Sequence, residues 1–144
     1  MRLDREWIAR HIPHAGTMCL LDEVLEWDAD RIRCRASSHR AMDNPLRAYG
    51  RLGAACGVEY AAQSMAVHGA LIGAATAIVG PRAGYLASLR GVSLFAERLD
   101  DVQADLIATA SRMTSDTTMV LYEFCVAGAE RILLSGRATI VFVP

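Results

Sequence analysis

The sequence predicts an α+β chain in which one antiparallel sheet wraps a single long helix. A stretch from Ala54 to Ile78, rich in Ala and Met and poor in β-branched residues at its start, fits a helix with small residues on several faces. On both sides of it lie runs dominated by Val, Ile, Leu, Phe and Tyr and bounded by turn residues, which read as strands. The length of 144 residues suits one core, and no repeat or linker divides it. Residues 1–144 are therefore expected to form a single domain.

The elements follow in order. Asp4 caps a short helix that ends at His11, before Pro13, with Trp7, Ile8 and His11 on one face. Met18 to Trp27 is an apolar strand, Asp28 to Asp30 a turn, and Arg31 to Ala36 a second strand whose Arg31, Arg33 and Arg35 are expected to face solvent. Ser37 to Leu52 is polar, holds Pro45 and Gly50, and reads as a long loop. The apolar helix comes next. Beyond Gly80-Pro81, turn signals at Asp100-Asp101, Thr114 to Asp116 and Gly128 to Glu130 bound strands over Tyr85–Leu99, Val102–Met113, Thr118–Val126 and Ile132–Val143. Joined by tight turns, these read as an antiparallel meander.

Composition narrows the function. All fifteen basic residues are Arg, which excludes a Schiff-base lysine, a pyridoxal phosphate anchor and a phosphate-loop lysine. The net charge of −1 offers no field to select nucleic acid. The first residues carry acid and base without the apolar region of a signal peptide, and Glu59, Gln63 and His68 interrupt the one long apolar stretch. A cytoplasmic chain without a membrane span is expected. Cys19, Cys34, Cys56 and Cys125 form no C-x-x-C pair and have no His at ligand spacing, so reduced thiols are expected, with no metal and no cofactor.

Acid and base chemistry by a carboxyl and an imidazole is what remains, since no Gly-x-Ser-x-Gly elbow occurs. Glu59 sits near the start of the apolar helix, where a carboxyl has to be neutralised, paired or used. Gln63, four residues on, shares its face and suggests a pocket. His14 follows Pro13 in the first connection, and His39 lies in the long polar loop, where it is expected to be exposed. His11 and His68 fall off the Glu59 stripe and read as packing residues.

Three segments carry a family resemblance. Ile12-Pro-His14-Ala-Gly-Thr-Met-Cys-Leu-Leu-Asp22-Glu-Val resembles the opening of the hot-dog-fold β-hydroxyacyl-acyl carrier protein dehydratases of the FabZ and FabA type. Val58-Glu59-Tyr-Ala-Ala-Gln63 is similar to their central-helix motif, and Tyr85-Leu-Ala-Ser-Leu-Arg-Gly-Val to the strand after it. The likeness extends to the divergent ApeP-type dehydratases of aryl polyene clusters, which share the Pro-His start and a Gly-(Ile/Val)-Glu-Tyr helix. It implies a hot-dog fold, a dimer and a dehydratase reaction. One departure stands out: the Gly-His-Phe-Pro loop that bears the family's catalytic His would fall at Pro45.

The expected enzyme dehydrates a β-hydroxyacyl thioester carried by acyl carrier protein or coenzyme A. His14 would remove the proton alpha to the carbonyl, with His39 as the other candidate. Glu59, kept protonated by apolar surroundings, would protonate the departing hydroxyl. Backbone N–H groups from Ala54 to Gly57 would hold the enolate oxygen, and Thr17, Cys56, Tyr60 and Gln63 would line the pocket. A homodimer or higher assembly is expected, or a pairing with a second hot-dog subunit. The alternatives are a hot-dog thioesterase, in which an ionised Glu59 activates water, and a degenerate subunit that supports an active partner.

Overall fold

Asp4 starts the first helix as expected: its carboxylate accepts from the Trp7 N–H at 3.0 Å, and α1 runs Arg5–His11. The computed structural model describes residues 2–76 and 84–142. Trp7 and Ile8 are buried, while His11 stacks on the Trp7 ring at 3.9 Å and stays exposed.

The expected strand from Met18 is shorter than read. Gly16–Met18 form a 3-10 turn, Cys19, Leu20 and Leu21 thread the core as a strap, and β1 covers only Glu23–Trp27. The reason is that a helix side chain, not a neighbouring strand, serves this backbone: Gln63 accepts from the Leu20 N–H and donates to the Met18 carbonyl. β2, Arg31–Ala36, pairs with β1 through a turn in which the Asp28 carboxylate accepts from the Asp30 and Arg31 N–H groups. Arg31 is exposed, but Arg33 and Arg35 are half-buried rather than solvent-facing. Glu23 stands directly opposite Arg35, whose guanidinium holds Glu23 at 2.8 Å and both Asp22 and Asp105 at 3.2 Å.

The central helix α2 spans Gly57–Thr76, entered through a 3-10 turn at Ala54–Cys56. Its expected end at Ile78, the Gly80-Pro81 turn and Val143 lie outside the described residues. Four strands complete the sheet: β3 (Gly84–Leu94), β4 (Leu106–Ser115), β5 (Met119–Gly128) and β6 (Arg131–Phe142). The order is β1-β2-β4-β5-β6-β3, antiparallel throughout. The last three strands form the expected meander, but β3 does not join it in sequence order; it pairs with β6 at the far edge. Residues 95–105 carry the chain across to β4, which sits between β2 and β5, so the expected strand bounds at Leu99 and Val102 fall inside this link, and β3 ends before it and β4 begins after it. Its path is pinned by the Arg98–Asp100 ion pair, by Leu52 N–H on Asp100 and by Leu99 N–H on the Leu52 carbonyl.

The inward faces of β2, β4, β5 and β6, including Ile32, Cys34, Leu106, Ala108, Ala110, Tyr122, Phe124 and Leu134, pack with the buried α2 residues Tyr60, Ala61, Met65, Val67 and Leu71 in one core. β3 is exposed along nearly its whole length, with Tyr85, Leu86, Leu89, Val92 and Leu94 open. Among the described residues no helix is long and apolar enough to cross a membrane.

Candidate active site

Pro13 ends α1, and Gly16, at φ +59°, turns the chain back so that His14 hangs over the start of α2. There the fold brings together two residues 45 positions apart: His14 Nε2 lies 3.0 Å from Glu59 Oε1. The side chains keep 25% and 33% of their surface exposed, so the pair is sheltered yet reachable. Glu59 is therefore not wrapped in apolar surface as expected. Its Oε1 also accepts from Gln63 Nε2 at 3.3 Å. His14 Nδ1 is buried with no partner among the described residues. An orphaned N–H costs more than an orphaned lone pair, so Nε2 carries the hydrogen toward Glu59 and Nδ1 the lone pair.

Gln63 is fully buried and anchors the strap, with Leu20 N–H on Oε1 at 2.9 Å and Nε2 on the Met18 carbonyl at 2.7 Å. Tyr60 is also fully buried. Ser38 spends its hydrogen on the Leu20 carbonyl at 2.8 Å, so the Tyr60 hydroxyl donates to Ser38 Oγ at 2.8 Å and accepts from Asn44 at 3.1 Å. Burial pushes the Tyr60 phenol above its ordinary value, against the lowering effect of those two bonds. Tyr60 and Gln63 thus hold protein in the substrate-free chain, because their polar atoms are already bonded to it. Thr17 is exposed in the 3-10 turn before the strap, against a polar cavity of about 230 Å³ shared with Arg5, Asp22 and Ser37.

The expected N–H cradle at the helix start is largely consumed. Ala54 N–H donates to the Glu97 carbonyl in the link before β4, while Cys56 N–H goes to Gly53 and Gly57 N–H to Ala54 and Ala55, because the 3-10 turn closes its own bonds. Nor does Gly57 leave room for substrate, since the Leu134 side chain fills the space a Cβ would take. Cys56 points its thiol at the Leu46 carbonyl, 3.8 Å away, and burial raises its pKa.

His39 is not an exposed loop residue. It has no exposed surface, and its Nε2–H lies 3.1 Å and 3.0 Å from the Val102 and Ala104 carbonyls, tying the loop to the link before β4. Burial lowers its pKa. His68 is a packing residue as expected: it donates to the Asp28 carbonyl and accepts from the Tyr122 hydroxyl, each at 2.7 Å. Asn44 and Ser38 were not legible as parts of the site, since polar residues in a polar loop carry no signal of burial.

A family model for ApeP-like proteins, described as the ApeP dehydratase, matches residues 6–144. The chain belongs to the ApeP-like dehydratase family. This ApeP-like chain also matches solved structures. The dehydratase heterocomplex ApeI:P from Xenorhabdus doucetiae is 18% identical with a TM-score of 0.84, covering 95% of this chain and 91% of that one. A thioesterase from Pseudomonas aeruginosa matches at 13% identity and TM-score 0.60, covering 85% and 81%. A hypothetical thioesterase with coenzyme A from Streptococcus pneumoniae matches at 11% identity and TM-score 0.61, covering 84% of each chain. These likenesses show the hot-dog fold. No curated protein matches the chain.

Proposed function

We propose that this hot-dog dehydratase removes water from a β-hydroxyacyl thioester carried by acyl carrier protein or coenzyme A, working in the cytoplasm. The observation that carries the reading is the 3.0 Å contact between His14 Nε2 and Glu59 Oε1. A positioned imidazole and carboxyl are the two groups an elimination needs. His14, whose Nδ1 lone pair the protein leaves unspent, takes the proton alpha to the thioester carbonyl. The resulting electron pair forms the new double bond as the β-carbon–oxygen bond breaks, and Glu59 supplies the proton with which the hydroxyl departs as water. Because Nδ1 is covered in the substrate-free chain, substrate binding has to uncover it.

Pairing through β3 completes the proposal. This strand has one unbonded edge and a row of exposed apolar side chains, a hazard for a monomer and a ready seam for a second hot-dog subunit. The likeness to a chain of the ApeI:P heterocomplex supports a hot-dog partner, either a second copy or a different chain. Product analysis tests the reading. Incubation with a short β-hydroxyacyl thioester is expected to yield the enoyl thioester with no free thiol. Thiol release without dehydration points instead to a thioesterase, with Glu59 activating water. Failure to dehydrate any acyl thioester, alone or with a co-purified hot-dog chain, overturns the reading.

A further inference from the structure

Gln63 joins Glu59 to the segment that follows His14, and none of its bonds reaches outward. Its Oε1 accepts the Leu20 N–H at 2.9 Å, and the two hydrogens of Nε2 go to the Met18 carbonyl at 2.7 Å and to Glu59 Oε1 at 3.3 Å. The orientation of the amide is fixed by these partners, because only the oxygen can take an N–H and only the nitrogen can serve a carbonyl. Gln63 has no exposed surface in the substrate-free chain, and all of its bonds run to protein.

Two consequences follow. The segment from His14 through the 3-10 turn to the strap is registered against α2 by one side chain, one helical turn from Glu59 and on the same face. Glu59 Oε1 meets two N–H groups, from Gln63 and His14, and so works as an acceptor. The proton that Glu59 delivers must then sit on Oε2, which has no partner among the described residues. We infer that Gln63 is the positioning residue of the reaction: it sets the His14-to-Glu59 register and assigns the acidic proton to Glu59 Oε2. The inference rests on the reading of His14 and Glu59 as the reacting pair. It replaces the expectation that Gln63 binds substrate.

The test uses the whole chain with its assembly partner. Gln63→Met keeps the length of the side chain and removes all three bonds. Turnover of a short β-hydroxyacyl thioester, well below the melting temperature, is expected to lose at least about tenfold in kcat, while KM stays within about threefold. A rise in KM at unchanged kcat would return Gln63 to substrate binding. An unchanged kcat per folded molecule, with only a lower Tm, would make it a scaffold residue; either result overturns the inference. Gln63→Glu carries the test if Gln63→Met does not fold. When protonated, its carboxyl again offers one donor, so its rate relative to the parent chain is expected to rise as pH falls. A ratio flat with pH contradicts the inference. Glu59→Gln separates the two levels. If that variant still turns over, the reacting pair itself is wrong. If it is inert while Gln63→Met is unchanged, only the positioning role fails.

Discussion

Gly57 offers a clean measurement of how tightly the helix start is seated on the sheet. Its φ of −62° is ordinary helix, so an alanine there is not strained by backbone conformation. What opposes it is space: a Cβ would run into Leu134 Cδ2, with Cδ1 at 3.0 Å and Cγ at 3.3 Å, and Leu134 has no exposed surface into which to retreat. Helix propensity favours Gly→Ala by up to about 1 kcal/mol, whereas overpacking a closed core costs roughly 1–3 kcal/mol. Packing wins, and Gly57→Ala is expected to lose about 1–2 kcal/mol of stability in urea denaturation. Leu134→Val alone should cost about 1 kcal/mol. In the double variant the two costs are expected to overlap, leaving it more stable than the sum by about 1 kcal/mol. Additive losses, or a Gly57→Ala chain as stable as the parent, would refute the close approach. Because Glu59 lies two residues further on, the same cycle should show turnover falling with Gly57→Ala and recovering in the double variant.

The buried histidines and one loop tip give three more measurements. His39→Ala strands the buried Val102 carbonyl and the part-buried Ala104 carbonyl and is expected to cost roughly 2 kcal/mol, while the rate per folded molecule changes less than about tenfold; a large rate loss at unchanged stability would make His39 catalytic. Burial holds His39 and His68 below the ordinary 6.5, so between their folded values and 6.5 the unfolded chain binds the extra protons. Stability should therefore decline as pH drops below about 6.5, and urea midpoints that are flat or rising from pH 7.5 to 5.5 would contradict this. Tyr49 holds φ at 54° in the turn closed by Ala48 and Arg51 and is fully exposed, so Tyr49→Gly relieves strain without losing packing. A gain of up to about 1 kcal/mol is expected, and a lower Tm would show that Tyr49 packs against something.

Local rules made much of the fold legible. The Asp4 cap, the Asp28 turn between β1 and β2, and the long small-residue helix each depend on residues close in sequence; the first two formed where read, and the helix begins at Gly57 after a 3-10 turn that takes up Ala54–Cys56. The place of β3 did not, because its alternation and flanking turns resemble those of β4 to β6, and only the path of residues 95–105 distinguishes it. The strap misled for a related reason: Cys19, Leu20 and Leu21 are apolar and extended, yet the Leu20 N–H and the Met18 carbonyl before it bond to Gln63, a residue more than forty positions away. In the site, the i to i+4 spacing of Glu59 and Gln63 was visible, and the resemblance at Pro13-His14 pointed to a segment that the fold sets beside Glu59. The burial of His39 was not, since a polar loop offers no sign that two carbonyls wait on the link across from it. The helix-start amides were read as free because the 3-10 bonds that consume them leave no trace in composition.

The central claim is that His14 and Glu59 act as one unit, and a double-variant cycle in turnover tests it most directly. Steady-state dehydration of a short β-hydroxyacyl thioester would be measured for Glu59→Gln, His14→Ala and the combination, each checked for folding. Each single change is expected to lower the rate by about a hundredfold or more, and the combination to lower it little further, because groups that work together are lost together. Near-parent turnover in either single variant, or losses that multiply in the double, would contradict the pairing.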